Sequence, residues 1–222
     1  MSGDFRRDTR FVTHQNDGFR LHLVSLDRAF IAAASDLFGK RALCSCSDIT
    51  TVEREGAIFV SPANSLGEMD GGIDMVLSRT MFPSCEKRLK ALIAALGRPY
   101  LRVGSAAWFM VGPRTGFIAA PTMFLPHDVA DTQNAYWAFL AALVAADRAV
   151  KTSGGALNTL VCTSLCCGVG RMDPEQAAIQ MRRAWDDFHA GRIPEETEKV
   201  GPEYVLLPDR DDEPLFGFNS SR

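Results

Sequence analysis

Two glycine-rich segments of the 222-residue chain combine residue types that can bind a phosphate group. The first, SPANSLGEMDGGID, begins at the last residue of the apolar run AIFVS and leads into a predicted helix. The second, CTSLCCGVGRMDPEQ, is built in the same way. Glycine lets the backbone approach an anion closely, and a helix N-terminus presents N–H groups and the positive end of a dipole. Two such loops facing each other could hold a diphosphate from both sides, although glycine-rich turns without a ligand are also common.

Three polar side chains in or near these segments could bind or act on the rest of a nucleotide. Asp48, in SDIT directly after a predicted strand, could accept a hydrogen bond from an exocyclic amine such as that of adenine. Asn64 offers a donor and an acceptor to a sugar hydroxyl, and Asp74 could accept a proton or orient water. The alternatives are a capping or turn role for Asp48, a turn role for Asn64, and an Asp74 that complements the helix dipole.

Strands and helices alternate along most of the chain, and this order predicts an α/β fold whose sheet is covered on both faces. Alternating or continuous apolar runs mark the strands, and apolar residues at helical spacing, with Asp27 and Asp173 as N-caps, mark helices. The GPRTG turn requires an antiparallel pair, so the predicted sheet is mixed and mostly parallel. The predicted strands are 19–25, 42–47, 57–61, 100–111, 117–120, 159–163 and 204–207, and the predicted helices are 28–38, one beginning near 72, 84–96, 132–151 and 174–191.

The composition indicates one globular domain. Hydrophobic residues make up 46% and charged residues 23% of the chain, which provides enough apolar side chains for a core at this length. The two ends are polar, so we expect a flexible N-terminus over 1–18, a domain over 19–207 and a polar tail over 208–222.

Charge and hydropathy argue against two classes of partner. Lys plus Arg number 24 and Asp plus Glu 27, a net charge of −3, whereas a dedicated nucleic-acid binder usually carries a basic surface. The mostly apolar run 134–146 ends at Asp147, short of the ~20 residues that a membrane-spanning helix needs. The first residues contain no apolar secretory segment, so we expect a cytoplasmic protein with no membrane partner and no specific nucleic-acid partner.

The cysteine and aromatic residues have structural explanations that compete with functional ones. We expect the six cysteines to be reduced thiols, and because their spacing does not match a zinc site, no metal is predicted. The adjacent Cys166 and Cys167 could form a redox pair, but adjacent cysteines make strained disulfides and small loop residues are the simpler explanation. Four aromatic residues could line an adenine ring, but their spacing favours core positions: Trp108, Phe109, Trp137 and Phe139.

Together these segments resemble those of macro domains, the ADP-ribose-binding fold. IFVSPANSLGEMDGGIDMVLSR resembles the family's first ligand loop, SDIT its adenine-binding motif, and CCGVGRMDPEQAA its second phosphate loop, in the family's order. The resemblance covers roughly 42–191. SPANSLGEMDGGID, with VGSAAWFMVG and IAAPTMFLP, is similar to a macro-domain-like branch found in bacteria, phages and large viruses. The resemblance implies a three-layer α/β/α macro-type domain with an extra N-terminal βα unit.

The resemblance also implies a role for each site residue. Asp48 and the Ile49 backbone would hold adenine, Asn64 would hold the distal ribose, and Asp74, ten positions after Asn64, would activate water as in macro-domain hydrolases. The implied ligand is ADP-ribose or a related NAD-derived nucleotide, free or attached to an ADP-ribosylated protein, and no cofactor is implied. The residues implied to bind the diphosphate are Gly71, Gly72 and Ile73 on one side and Cys167, Gly168, Val169 and Gly170 on the other.

The chain departs from the family's pattern around the implied distal ribose. Met69 and Asp70 stand where hydrolases often carry glycines, the two adjacent cysteines stand at Ser-Thr positions, and Gly170 stands where an aromatic residue usually packs on the ribose. Asp70 brings a negative charge near a diphosphate, and orientation of the distal ribose decides the chemistry. Three functions therefore stay open: a hydrolase of ADP-ribosyl linkages, a reader that binds ADP-ribose without turnover, and a structural or assembly protein that has lost the ligand.

Overall fold

The computed structural model describes residues 18–196 and 201–207. The predicted tail over 208–222 and the predicted N-terminal segment, except Gly18, lie outside the described residues. The described strands are β1 Arg20–Ser25, β2 Ala42–Cys46, β3 Ala57–Ser61, β4 Ser105–Gly112, β5 Thr115–Ala119, β6 Thr159–Cys162 and β7 Tyr204–Leu206. The described α-helices are α1 Arg28–Phe38, α2 Gly72–Met75, α3 Cys85–Ala95, α4 Asn134–Thr152 and α5 Pro174–His189.

All of these strands belong to one mixed sheet with the order β2-β1-β6-β3-β5-β4-β7. Strands β2, β1, β6, β3 and β5 run parallel, and β4 pairs antiparallel with both β5 and β7. The predicted mixed, mostly parallel sheet is therefore confirmed. Because parallel strands end at the same edge, the loops that follow β2, β3, β5 and β6 gather there.

The sheet lies between two helical layers, each with its own apolar core. On one face, α1, α4 and α5 pack over side chains such as Ile58 and Val60, and on the other, α3 packs over side chains such as Phe59. These residues alternate along β3 and are all fully buried, as the two faces of a central strand require. Trp108, Trp137 and Phe139 belong to the first core and Phe109 to the second, which confirms their core positions.

Local signals place the helix starts correctly. The Asp27 carboxylate accepts from the backbone N–H groups of Ala29 and Phe30 at 2.9 and 3.2 Å. The Asp173 carboxylate does the same for Glu175 and Gln176 at 2.9 and 3.1 Å. Both predicted N-caps are confirmed, and each satisfies amides that have no partner inside the helix.

Two predicted elements differ from the structure. The strand predicted from Tyr100 begins at Ser105, because the backbone before it is used elsewhere: the Leu101 N–H donates to the Ser65 carbonyl at 2.8 Å, and Gly104 has a φ of +80°. The helix predicted near Gly72 continues beyond α2 as a π-helical turn over Val76–Met81. There the Phe82 N–H donates to the Leu77 carbonyl at 2.8 Å, which is a bond between residues five apart.

Candidate functional site

The two glycine-rich loops line opposite sides of one cleft of about 160 Å³. They come together because β3 and β6, the strands that precede them, are parallel neighbours in the sheet. A third loop, which follows β5, closes the cleft from the side of Thr122, Met123 and Pro126. The residues that line the cleft are Pro62, Asn64, Glu68, Asp70, Gly71, Gly72, Ile73, Asp74, Thr122, Met123, Pro126, Ser164, Cys166, Gly168, Val169 and Gly170.

The first loop directs the beginning of α2 toward the cleft. The Met75 N–H donates to the Gly71 carbonyl at 3.2 Å and starts the helical hydrogen bonds, so the N–H groups of Gly72, Ile73 and Asp74 have no acceptor within the helix. Gly72 has a φ of +52°, a conformation that favours glycine. A Cβ atom built on Gly71 or Gly72 would meet nothing within 4 Å, so open space lies beside the backbone at this point.

The second loop is held by tight turns of its own. The Met172 N–H donates to the Cys166 carbonyl at 3.0 Å, the Arg171 N–H donates to the Gly168 carbonyl at 3.1 Å, and Cys166 and Arg171 both have positive φ angles. A Cβ atom at Gly170 would lie 2.6 Å from the Cys166 carbonyl oxygen and 2.7 Å from Cγ2 of Val129. A side chain at position 170 would therefore clash with these atoms unless the loop moved.

Val169 and Arg171 differ in their relation to the cleft. The Val169 side chain lines the cleft and is 61% exposed, so it offers a ligand an apolar contact. The Arg171 side chain is 78% exposed, approaches Asp128 at 4.0 Å, and does not line the cleft. The second loop therefore offers a ligand backbone and a small apolar side chain rather than a positive charge.

Of the two adjacent cysteines, Cys166 lines the cleft and Cys167 does not. The Cys167 Sγ contacts the Leu165 carbonyl at 3.4 Å, and burial, aided by the charge of Asp27, raises the pKa of its thiol to about 12. The contact of Cys167 with a ligand stays a prediction, and its neighbour Cys166 is the cysteine that lines the cleft. All six cysteines lie in the described residues, and none of them forms a disulfide.

Asp48 lies in a second pocket of about 290 Å³ beside the cleft. Its carboxylate accepts from the Thr50 N–H at 2.8 Å, and this hydrogen bond holds the pKa of Asp48 below its ordinary value. The pocket has apolar walls that include Ile49 and Val76, and it shares Gly72 and Ile73 with the cleft. Asp48 caps a local turn, and its exposed carboxylate also lines this mostly apolar pocket.

The Asn64 side chain is held by hydrogen bonds within its own loop. Its Oδ1 accepts from the N–H groups of Leu66 and Glu68 at 3.1 and 3.0 Å, and its Nδ2 donates to Oε2 of Glu68 at 2.9 Å. The side chain is 9% exposed and lines the cleft. These bonds give Asn64 a turn role, and its position in the cleft lining also makes it accessible to a ligand.

Asp74 is the most perturbed acid in the cleft. The Ser61 hydroxyl donates to Oδ1 of Asp74 at 2.6 Å. Burial raises the pKa of Asp74 to about 7, the Ser61 hydrogen bond opposes this rise, and the nearby charge of Asp70 adds to it. An acid with this pKa changes between its neutral and charged forms near neutral pH, as a general base requires.

Sequence reasoning missed Ser61, Glu68 and Ser164. Ser61 is the polar last residue of the otherwise apolar β3, a signal that could have identified it. Met69, by contrast, is fully buried in the core, with its Sδ 3.6 Å from the Cys85 Sγ. Its departure from glycine is therefore explained by packing.

The cleft carries negative charge. Glu68, Asp70 and Asp74 line it, and none of its lining residues, all of them in the described part of the chain, is Lys, Arg or His. In residues 18–196 and 201–207, no group of three or more His, Cys, Asp or Glu residues is arranged to hold a metal ion. No described helix is long and apolar enough to cross a membrane.

Comparison with known proteins establishes the fold. No family model matches the sequence, and no curated protein matches it. Among solved structures, the chain is similar to the macrodomain of Mycobacterium tuberculosis DarG, with a TM-score of 0.52 and 16% sequence identity over 65% of this chain and 89% of that one. The chain therefore has the macrodomain fold, and the three-layer α/β/α architecture implied by the sequence resemblance is confirmed.

Proposed function

We propose that this protein binds ADP-ribose, or a closely related NAD-derived nucleotide, in the cleft and the adjoining Asp48 pocket. One observation carries the proposal: two glycine-rich loops from distant parts of the sequence line one cleft, and this cleft shares Gly72 and Ile73 with a pocket that holds an exposed carboxylate. The two spaces therefore both border the start of α2, where backbone N–H groups favour an anion. That arrangement suits a molecule with a base at one end and a diphosphate in its middle.

In the proposed complex, each part of the nucleotide has a partner. Asp48 accepts from the adenine amine, and the apolar side chains of the second pocket contact the faces of the ring. The diphosphate receives backbone N–H groups from 71–73 on one side and 168–170 on the other. The distal ribose then lies near Asn64 and Asp74.

Asp74 supports a hydrolytic reaction at the distal ribose. Its ionised carboxylate accepts a proton from water, the water oxygen bonds to the anomeric carbon, and the bond from that carbon to the linked group breaks. The electron pair of the broken bond leaves with the linked group, which takes up the proton. Ser61 keeps one carboxylate oxygen in place at 2.6 Å, so the other is available for the water.

A ligand panel tests the binding proposal. ADP-ribose, NAD⁺, ATP and AMP are compared by thermal shift, with each ligand at 100 times its dissociation constant, where binding stabilises the fold by about 2.7 kcal/mol. For a chain of this size, we expect ADP-ribose to raise the melting temperature by about 5–10 °C. No shift with any ligand would instead favour a protein that has kept the fold and lost the ligand.

The matched variants for this panel are Asp48→Ala and Asp36→Ala. Both replace an exposed acid, but Asp48 lines the second pocket, whereas Asp36 on α1 lines neither the pocket nor the cleft. We expect the first variant to weaken binding of ADP-ribose and AMP and the second to leave it unchanged. Equal effects of the two variants would refute the assignment of the adenine pocket.

A reader without catalysis is the second candidate function. It is favoured by the hydrogen bonds of Asn64, because Oδ1 and one N–H of its amide already bond to neighbours in the loop. An amide held in this way is less available to orient the distal ribose. Micromolar binding of ADP-ribose, with no release of ADP-ribose from ADP-ribosylated protein, would identify a reader.

A further inference from the structure

Three acidic residues line the cleft, whereas Asp48 lines the second pocket. Glu68, Asp70 and Asp74 line the cleft but not the second pocket, and the two spaces meet at Gly72 and Ile73. In the binding mode proposed above, on which this inference rests, the adenine and diphosphate take the second pocket and the start of α2. The three carboxylates then lie beside the diphosphate and the distal ribose, close to whatever is attached to that ribose.

Two of these carboxylates are fixed by the fold. Glu68 accepts from Nδ2 of Asn64 at 2.9 Å, and the Asn64 side chain is itself 9% exposed. Asp74 accepts from the Ser61 hydroxyl at 2.6 Å, and Ser61 is fully buried at the end of β3. A carboxylate that is held in place directs its negative charge at one region of the cleft, and Asp74 carries that charge above its pKa of about 7.

No positive side chain in the lining offsets these charges. Lys90, outside the cleft, is close enough to Glu68 and Asp70 for their charges to raise its pKa. The larger cause of that rise is the hydrogen bond of Lys90 to Glu86 at 2.7 Å. Lys90 is absent from the residues that line the cleft. A ligand therefore meets a negative region whose lining holds no positive side chain, and a positive group on the ligand would be attracted to it.

We propose that the cleft prefers ADP-ribose derivatives that carry a cationic nitrogen on the anomeric carbon of the distal ribose. Two chemical sources supply such a group: the pyridinium ring of NAD⁺, and a guanidinium of an ADP-ribosylated arginine side chain. Derivatives with a neutral group at the same carbon, such as a hydroxyl, an ester or a serine ether, bind less well because they leave the carboxylates uncompensated.

NAD⁺ and NADH provide a matched test of this preference. They have nearly the same size and differ in the charge of the nicotinamide ring, so the ratio of their dissociation constants isolates the effect of a cation. We expect NAD⁺ to bind at least about tenfold more tightly than NADH to the full chain at pH 8, which corresponds to about 1.4 kcal/mol. Equal affinities would overturn the proposal.

Substitutions of the acidic residues test whether the carboxylates cause the preference for NAD⁺ over NADH. The double substitution Glu68→Gln with Asp70→Asn keeps the shape of both side chains and removes two charges, so we expect the ratio to fall toward one. The control Asp36→Asn removes an exposed charge outside the cleft and should leave the ratio unchanged. A ratio that persists in the double variant would overturn the proposal even if the native chain prefers NAD⁺.

Two further comparisons identify the source of the cation and distinguish failure of this inference from failure of the proposed function. A peptide ADP-ribosylated on arginine is compared with one ADP-ribosylated on serine, and tighter binding of the first than of NAD⁺ identifies a protein-linked guanidinium as the source. If ADP-ribose binds but charge makes no difference, only this inference fails. If ADP-ribose, NAD⁺ and NADH all fail to bind, the proposed function fails and this inference fails with it.

Discussion

The substitution Asp74→Asn tests two properties of this residue separately: the rise of its pKa by burial, and its proposed role as a general base. Burial raises the pKa of Asp74 from 3.8 to about 7, so the folded chain holds a proton that the unfolded chain releases at lower pH. Between these two values the folded state binds more protons, and its stability therefore falls as the pH rises. The contribution of Asp74 is most favourable below pH 3.8, and its loss is complete above about pH 7.

The size of this effect follows from the two pKa values. From pH 5 to pH 8, ionisation of Asp74 in the unfolded chain reduces the free energy of unfolding by about 2–3 kcal/mol. Asn cannot ionise, and its Oδ1 can still accept from Ser61, so the variant avoids this loss. We expect Asp74→Asn to melt about 5–10 °C higher than the native chain at pH 8, and the difference to shrink toward pH 5.

Two assays check this expectation. Thermal unfolding at pH 5, 6, 7 and 8 measures stability, and release of ADP-ribose from ADP-ribosylated protein measures turnover, which should fall about 10²- to 10⁴-fold in the variant if Asp74 is the general base. Asp36→Asn is the control, since this exposed acid on α1 lies outside the cleft. A difference in melting temperature that does not change with pH would refute the burial argument, whereas full turnover in Asp74→Asn would refute only the catalytic role.

Three other substitutions test separate parts of the structure. Gly170→Ala places a Cβ atom 2.6 Å from the Cys166 carbonyl oxygen, so we expect it to destabilise the fold by about 1–3 kcal/mol and to weaken ADP-ribose binding; unchanged denaturant unfolding would contradict the close packing. Phe59→Ala empties a fully buried position in the core, with an expected loss of about 3–5 kcal/mol in the same measurement, and a loss below 1 kcal/mol would contradict it. Asp27→Ala removes the cap of α1 and should lower stability by about 1 kcal/mol, whereas Asp27→Asn should retain most of it.

Much of the fold was predictable because its signals are local. The apolar run 57–61 is long enough only for a buried strand, and it forms β3 with the predicted bounds. Asp27 and Asp173 mark helix starts through their own neighbouring amides, so no distant contact is needed to recognise them. The strand predicted from Tyr100 was too long because the Leu101 N–H bonds to Ser65, a contact between segments that sequence patterns do not relate.

The candidate site was predictable as a set of loops but not as a set of contacts. The glycines and the carboxylates could be assigned to the ends of strands, and the parallel pairing of β3 with β6 then brings the two loops together. The bonds from Ser61 to Asp74 and from Asn64 to Glu68 could not be predicted, since they depend on side-chain directions within an irregular loop. The contribution of Met123 depends on where the loop after β5 crosses the cleft.

The position of Asp70 follows from the burial of its neighbour. Met69 is fully buried, its Sδ lies 3.6 Å from the Cys85 Sγ, and its carbonyl accepts from the Ser78 hydroxyl at 2.9 Å. Because these two contacts hold Met69 in the core, Asp70 lies exposed in the cleft, next to the amides at the start of α2. A negative charge at this point works against a diphosphate, unless the rest of the ligand gains from it. In the preference proposed above, Asp70 therefore disfavours plain ADP-ribose and favours a derivative that carries a cation.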